Sequence, residues 1–116
     1  MVTPVTTFAG LYERATGRDP FALPARWLAA KGELDLTTPF NVVTTNDIIG
    51  GNSGSPVINR EGELVGVIFD GNIHSLGGDY VYDPVLNRAV AVESVAVREA
   101  LAKIYSAKRL LDEIAR

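Results

Sequence analysis

Cysteine is absent from this 116-residue chain, and histidine occurs once. The first absence excludes disulfides and thiolate metal sites. The two together leave no credible ligand set for zinc, so neither a metal nor a cofactor is expected. No apolar run approaches the ~20 residues that a membrane-spanning helix needs. Eleven Lys and Arg against fourteen Asp and Glu give a net charge of −3. There is no basic field to attract nucleic acid, which is therefore not an expected partner. Val2 to Thr7, behind Met1, lack the cationic and apolar regions of a secretory signal, as would any chain cut from a longer precursor. What is present is a globular composition, 47% hydrophobic and 22% charged, in a chain long enough to bury a core.

Three regions follow one another. Residues 1–38 read as helical and irregular, leading into a catalytic domain: Phe8, Leu11, Tyr12 and Ala15 keep helical spacing, and Leu23, Trp27 and Leu28 repeat it before Gly32. Residues 39–92 read as β structure. Strands are expected at Phe40 to Thr45, Val57 to Asn59, Leu64 to Phe69, Tyr80 to Tyr82 and Ala89 to Val92. Arg60 to Glu63 and Asp83-Pro84 are the intervening turn signals. Residues 93–116 return to helix through Val97, Leu101, Ile104, Leu111 and Ile114, with Ser106 as a point of breakage. The fold class is α+β, mainly β with flanking helices.

The chemistry is concentrated in Gly50-Gly51-Asn52-Ser53-Gly54-Ser55-Pro56. Glycines allow a tight turn and a close approach of a substrate carbonyl to the backbone, and Pro56 ends the loop as an apolar strand begins. Such a loop suits a trypsin-like hydrolase, which exposes a serine hydroxyl while backbone N–H groups receive the developing oxyanion. Ser53 is the candidate nucleophile, because glycine follows it and a strand starts soon after. Ser55, beside Pro56, reads as structural. A polar loop joining two strands is the plain alternative on the motif alone.

A serine nucleophile needs a base, and His74 is the one histidine available. It lies 21 residues after Ser53, whereas trypsin-like enzymes bring histidine and aspartate from far upstream of the serine. His74 therefore reads as a surface or pocket-rim residue. The chain is expected to be a fragment that carries a nucleophile without its catalytic His and Asp. Asn46-Asp47, just before the loop, reads either as an Asx-turn or as a support for the loop.

The run Thr45 to Asn59, then Gly62 to Gly66, Phe69-Asp70-Gly71-Asn72 and Gly78 to Pro84, resembles the carboxyl-terminal part of the S46 peptidases. Thr7 to Arg14 upstream and Ala107-Lys108 with Leu111 to Glu113 downstream extend the likeness over nearly the whole chain. The resemblance implies the second barrel of a chymotrypsin-like double β-barrel, with a helical cap elsewhere and a C-terminal helix here. It implies a serine dipeptidyl-peptidase that releases dipeptides from the amino ends of oligopeptides. Ser53 would be the nucleophile, and the N–H groups of Gly51 and Ser53 would be the oxyanion donors.

By the same resemblance, Asp70 holds the substrate's amino terminus and Gly71 sets S1 specificity, with Phe69 and Asn72 flanking them in the substrate-binding segment. Glycine at position 71, where arginine accompanies acidic P1 residues, implies a hydrophobic P1 preference. The resemblance further implies peptide substrates, a periplasmic, cell-surface or secreted location, and a homodimer to which the C-terminal region could contribute. The alternatives are another trypsin-like endopeptidase, of glutamyl-endopeptidase or HtrA type, and a non-catalytic interaction module from a decayed gene.

Overall fold

The computed structural model describes residues 4–115. Its strands are β1 (Val5–Thr7), β2 (Pro39–Thr44), β3 (Pro56–Ile58), β4 (Leu64–Gly71) and β5 (Ala89–Glu93). Its α-helices are α1 (Phe8–Arg14), α2 (Ala25–Ala30), α3 (Ser94–Glu99) and α4 (Lys108–Ile114). The strands form one sheet in the order β1-β2-β5-β4-β3, with β2–β5, β5–β4 and β4–β3 all antiparallel. The chain divides into two compact units. Among the described residues, one comprises 4–5 and 41–94, the other 6–40 and 95–115.

In the first unit the core lies under β4 and β5. Ile68, Ala89 and Ala91 are buried, and Val42, Ile48 and Val57 pack against them. Small residues on β5 follow from close packing. Gly66 sits so near that strand that a Cβ placed on it would lie 2.9 Å from the Val92 carbonyl oxygen and 3.4 Å from Ala91 Cβ. The β3–β4 hairpin turns at Gly62, with φ +82°. Asn59 organises the turn, its Oδ1 accepting from the N–H groups of Glu61 and Glu63 at 3.0 and 2.9 Å. A bulge interrupts β4: Ile68 faces Ala91 and Asp70 faces Val90, so Phe69 has no partner across the strand.

Four of the five expected strands are present. Tyr80 to Tyr82 is not a strand. The N–H groups of Tyr80 and Val81 both turn back to the Gly77 carbonyl at 3.1 Å, so they cannot join a ladder. The Asp83 turn is present, with its Oδ1 accepting from the N–H groups of Val85 and Leu86. One short strand, β1, lies in the stretch read from sequence as helical and irregular.

In the second unit Phe8 is fully buried, edge-on to Trp27 at 5.9 Å between ring centroids and tilted against Phe40 at 5.4 Å. Tyr12 donates its hydroxyl to the Trp27 carbonyl at 2.6 Å, and burial pushes its pKa up. The expected single C-terminal helix is broken. After α3, a π-type bond runs from Tyr105 N–H to the Ala100 carbonyl, a still wider one runs from Ala107 N–H to the Leu101 carbonyl, and Ser106 takes a φ of +51° before α4 begins.

Glu99 on α3 accepts the Asp35 N–H at 2.9 Å and pairs with Lys103 at 2.9 Å. The Asp35 N–H, and then Lys103, hold the Glu99 carboxyl below its ordinary value. The Thr37 hydroxyl and N–H do the same for Asp35. Groups whose folded pKa is depressed stabilise the fold above the unfolded carboxylate range, and that contribution is lost as pH falls through the folded values. The thermal midpoint should therefore drop on acidification below about pH 4, and Glu99→Gln should flatten that slope. Melting curves between neutral and acidic pH read both effects.

Candidate active site

The loop between β2 and β3 is shaped by two glycines, Gly51 at φ +101° and Gly54 at φ +90°, which bracket Asn52-Ser53. A Cβ on either would meet nothing within 4 Å, so glycine is required here by backbone conformation and not by space. Asn52 clamps the loop. Its Oδ1 accepts the Ile49 N–H at 2.7 Å, its N–H returns to the Ile49 carbonyl at 3.1 Å, and its carbonyl accepts from Ser55 at 2.9 Å. The loop is tied to β4 by Gly54 N–H to the Ile68 carbonyl at 2.8 Å and Ile68 N–H to the Ser55 carbonyl at 2.9 Å.

These bonds engage the N–H groups of Asn52, Gly54 and Ser55. Among the described residues, no hydrogen bond uses the N–H of Gly51 or Ser53. Two unengaged donors thus alternate with engaged ones around an exposed serine. A groove of about 260 Å³ runs beside the loop, with Asn46, Ile48, Asn52, Ser55 and Val57 among its lining residues.

Asp70 lies at the end of β4, just past the bulge, and is exposed. Its Oδ1 accepts the Gly71 N–H at 2.8 Å. Among the described residues it has no cationic partner, so the carboxylate remains open to an incoming ammonium. Phe69 is 47% exposed at the bulge, a large apolar surface next to that carboxylate. Gly71 is packed more closely than a bare gap: a Cβ there would lie 2.3 Å from Ser75 Oγ and 3.0 Å from Ile48 Cδ1. Asn72 is held by its own chain. Its Nδ2 donates to the Leu86 carbonyl at 2.7 Å, and its Oδ1 accepts the N–H groups of Arg88 and Ser75.

His74 is exposed on a short 3₁₀ turn, Ile73–Gly77, and no hydrogen bond joins it to Ser53 among the described residues. Among those residues no cluster of three His, Asp or Glu could hold a metal ion. No described helix is long and apolar enough to cross a membrane. Two participants escaped sequence reasoning. Asn52, and not Asn46-Asp47, provides the side-chain support of the loop, and the preference of Asn for such turns was the available signal. Ser75 reaches Gly71 only because the 3₁₀ turn folds back, and nothing in the sequence pattern announces that.

The peptidase S46 family model matches residues 1–116, the full extent of the chain. The chain belongs to the peptidase S46 family. Among relatives of this S46 chain, dipeptidyl-peptidase 7 of Phocaeicola vulgatus is 40% identical over 122 residues, covering 94% of the chain and 16% of that protein. The Asp/Glu-specific dipeptidyl-peptidase of Shewanella putrefaciens is 30% identical over 141 residues, covering 96% of the chain and 19% of that protein. The structure of Porphyromonas endodontalis DPP11 in complex with the dipeptide Arg-Glu superposes with a TM-score of 0.89 at 28% identity, covering 98% of this chain and 18% of that one. The S46 chain thus spans about one sixth of the length of the curated relatives it matches. It shares with DPP11 the fold of that portion, an antiparallel five-stranded sheet with helices.

Proposed function

We propose that these residues are the nucleophile-bearing portion of a serine dipeptidyl-peptidase that releases dipeptides from the amino ends of oligopeptides. The carrying observation is the pair of unengaged N–H groups at Gly51 and Ser53 around the exposed Ser53. Ser53 Oγ attacks the carbonyl carbon of the second substrate residue, and the two N–H groups receive the oxyanion. The Oγ proton passes to a base and then to the leaving amine, which departs with the remaining peptide. Water hydrolyses the resulting dipeptidyl ester and regenerates the hydroxyl. The base and its orienting aspartate come from a longer chain, because the sole histidine, His74, sits on the 3₁₀ turn with no bond to Ser53.

Within that longer chain the sheet is assigned to the second barrel of a chymotrypsin-like pair. The same reading puts the protein in the periplasm or at the cell surface, where a homodimer is the expected assembly. Asp70 takes the substrate ammonium through charge-assisted bonds. Gly71 adds no charge to S1 and lies beside Ile48, which supports an apolar P1 residue. Relatives of both named types match the chain, so P1 preference is the point at issue. The test is a reporter panel on the full-length enzyme carrying these residues. Dipeptidyl reporters with Leu or Phe at P1 should turn over at least tenfold faster than those with Asp or Glu. Amino-terminally acetylated versions should be poor substrates. Equal cleavage of acetylated reporters would instead identify an endopeptidase.

A further inference from the structure

We propose that Ser75 is a specificity-determining positioning residue: it fills the volume into which a side chain at position 71 would extend, and so keeps that wall of S1 bare and uncharged. This rests on the assignment of Gly71 to S1. The geometry is one of exclusion. A Cβ at 71 would stand 2.3 Å from Ser75 Oγ and 3.2 Å from Ser75 Cβ, distances at which something has to shift. Ile48 Cδ1, at 3.0 Å, is the tip of a flexible side chain and can yield. Ser75 has less freedom. Its Oγ donates to the Asn72 carbonyl at 2.6 Å, and its N–H lies 2.9 Å from that same carbonyl and 3.2 Å from Asn72 Oδ1.

Asn72 is anchored in turn. Its N–H donates to the Arg88 carbonyl at 2.9 Å, its Oδ1 accepts the Arg88 N–H at 3.1 Å, and its Nδ2 donates to the Leu86 carbonyl at 2.7 Å. The 3₁₀ turn is therefore held at both of its contacts, and Ser75 cannot retreat from Gly71 without breaking bonds. Position 71 cannot change character on its own. An arginine there could offer its planar fork to an acidic P1 residue only after position 75 has been reduced.

The test compares Gly71→Arg, Ser75→Gly and the double variant in the full-length enzyme, using reporters with Leu or Glu at P1. Ser75→Gly leaves the backbone bond of residue 75 in place, and its own activities on both reporters set the baseline for the double variant. Gly71→Arg alone should lose about tenfold or more on both reporters. Adding Ser75→Gly should raise the Glu-to-Leu ratio at least tenfold over that of the single arginine variant. Should the arginine variants misfold, Gly71→Ala gives the same reading. It should lower both the thermal midpoint and kcat/KM, and Ser75→Gly should restore at least half of each loss. Purely additive effects, or a full switch to Glu by Gly71→Arg alone, would overturn the proposal. Should the parent cleave neither reporter, the functional reading fails separately, and the midpoints of the alanine pair still decide whether Ser75 excludes a side chain at 71.

Discussion

Ser53→Ala in the full-length enzyme should lower kcat by about 10⁴- to 10⁶-fold with KM changed little, because the proposed mechanism puts the hydroxyl in the covalent intermediate. The two N–H donors survive the substitution, so residual hydrolysis slightly above background is expected. The hydroxyl is exposed and engages no other group among the described residues, so the fold should be indifferent to its loss. An unchanged circular dichroism spectrum would separate chemistry from folding. Ser55→Ala is the companion measurement. Ser55 ties the loop to β4 through its backbone, Ile68 N–H to the Ser55 carbonyl, and alanine keeps that bond. Its activity should stay within about tenfold of the parent. Retention of more than one per cent of activity by Ser53→Ala, with collapse in Ser55→Ala, would move the nucleophile.

The second large effect is expected at Asp70. Asp70→Asn keeps an oxygen that can accept the Gly71 N–H, so the end of β4 should hold its conformation. The lost component is the charge. A hydrogen bond to a charged group contributes about 1.5–3 kcal/mol, which corresponds to roughly a 10- to 150-fold rise in KM for substrates with a free amino end. Acetylated reporters lack the ammonium and should not distinguish the variant from the parent. A kcat loss shared equally by free and acetylated reporters would instead mean that Asp70 supports the strand and does not contact the substrate.

Much of this site was legible because it depends on short-range chemistry. Gly51, Gly54 and Gly62 stand at positive φ where turn logic put glycines, and Pro56 opens β3 where the loop was expected to end. The alternating burial of β5, with Ala89 and Ala91 inside, follows a pattern readable at period two. Tyr80 to Tyr82 misled, since strand propensity says nothing about where two N–H groups find acceptors, and Gly77 supplied one. The long helical stripe misled in part. Its apolar spacing passes through Tyr105 to Ala107, but the π-type bonds and the Ser106 backbone interrupt it. Ser75 beside Gly71 was invisible for a simpler reason: the contact exists only after the 3₁₀ turn forms.

The unpaired Phe69 has a consequence for side-chain parity. On an uninterrupted β4, Gly66, Ile68 and Asp70 would all belong to one face, the buried one. The extra residue shifts the count by one. Asp70 then comes opposite Val90, on the face away from Ala89 and Ala91, while Gly71 takes the inward place opposite Ala89. A single inserted residue is what separates a carboxylate buried without a partner from one presented to solvent. It also turns position 71 inward, where only a glycine fits. The acid at 70 and the glycine at 71 are thus two results of one miscount in the ladder, and a regular pairing of Phe69 with Val90 would exchange their faces.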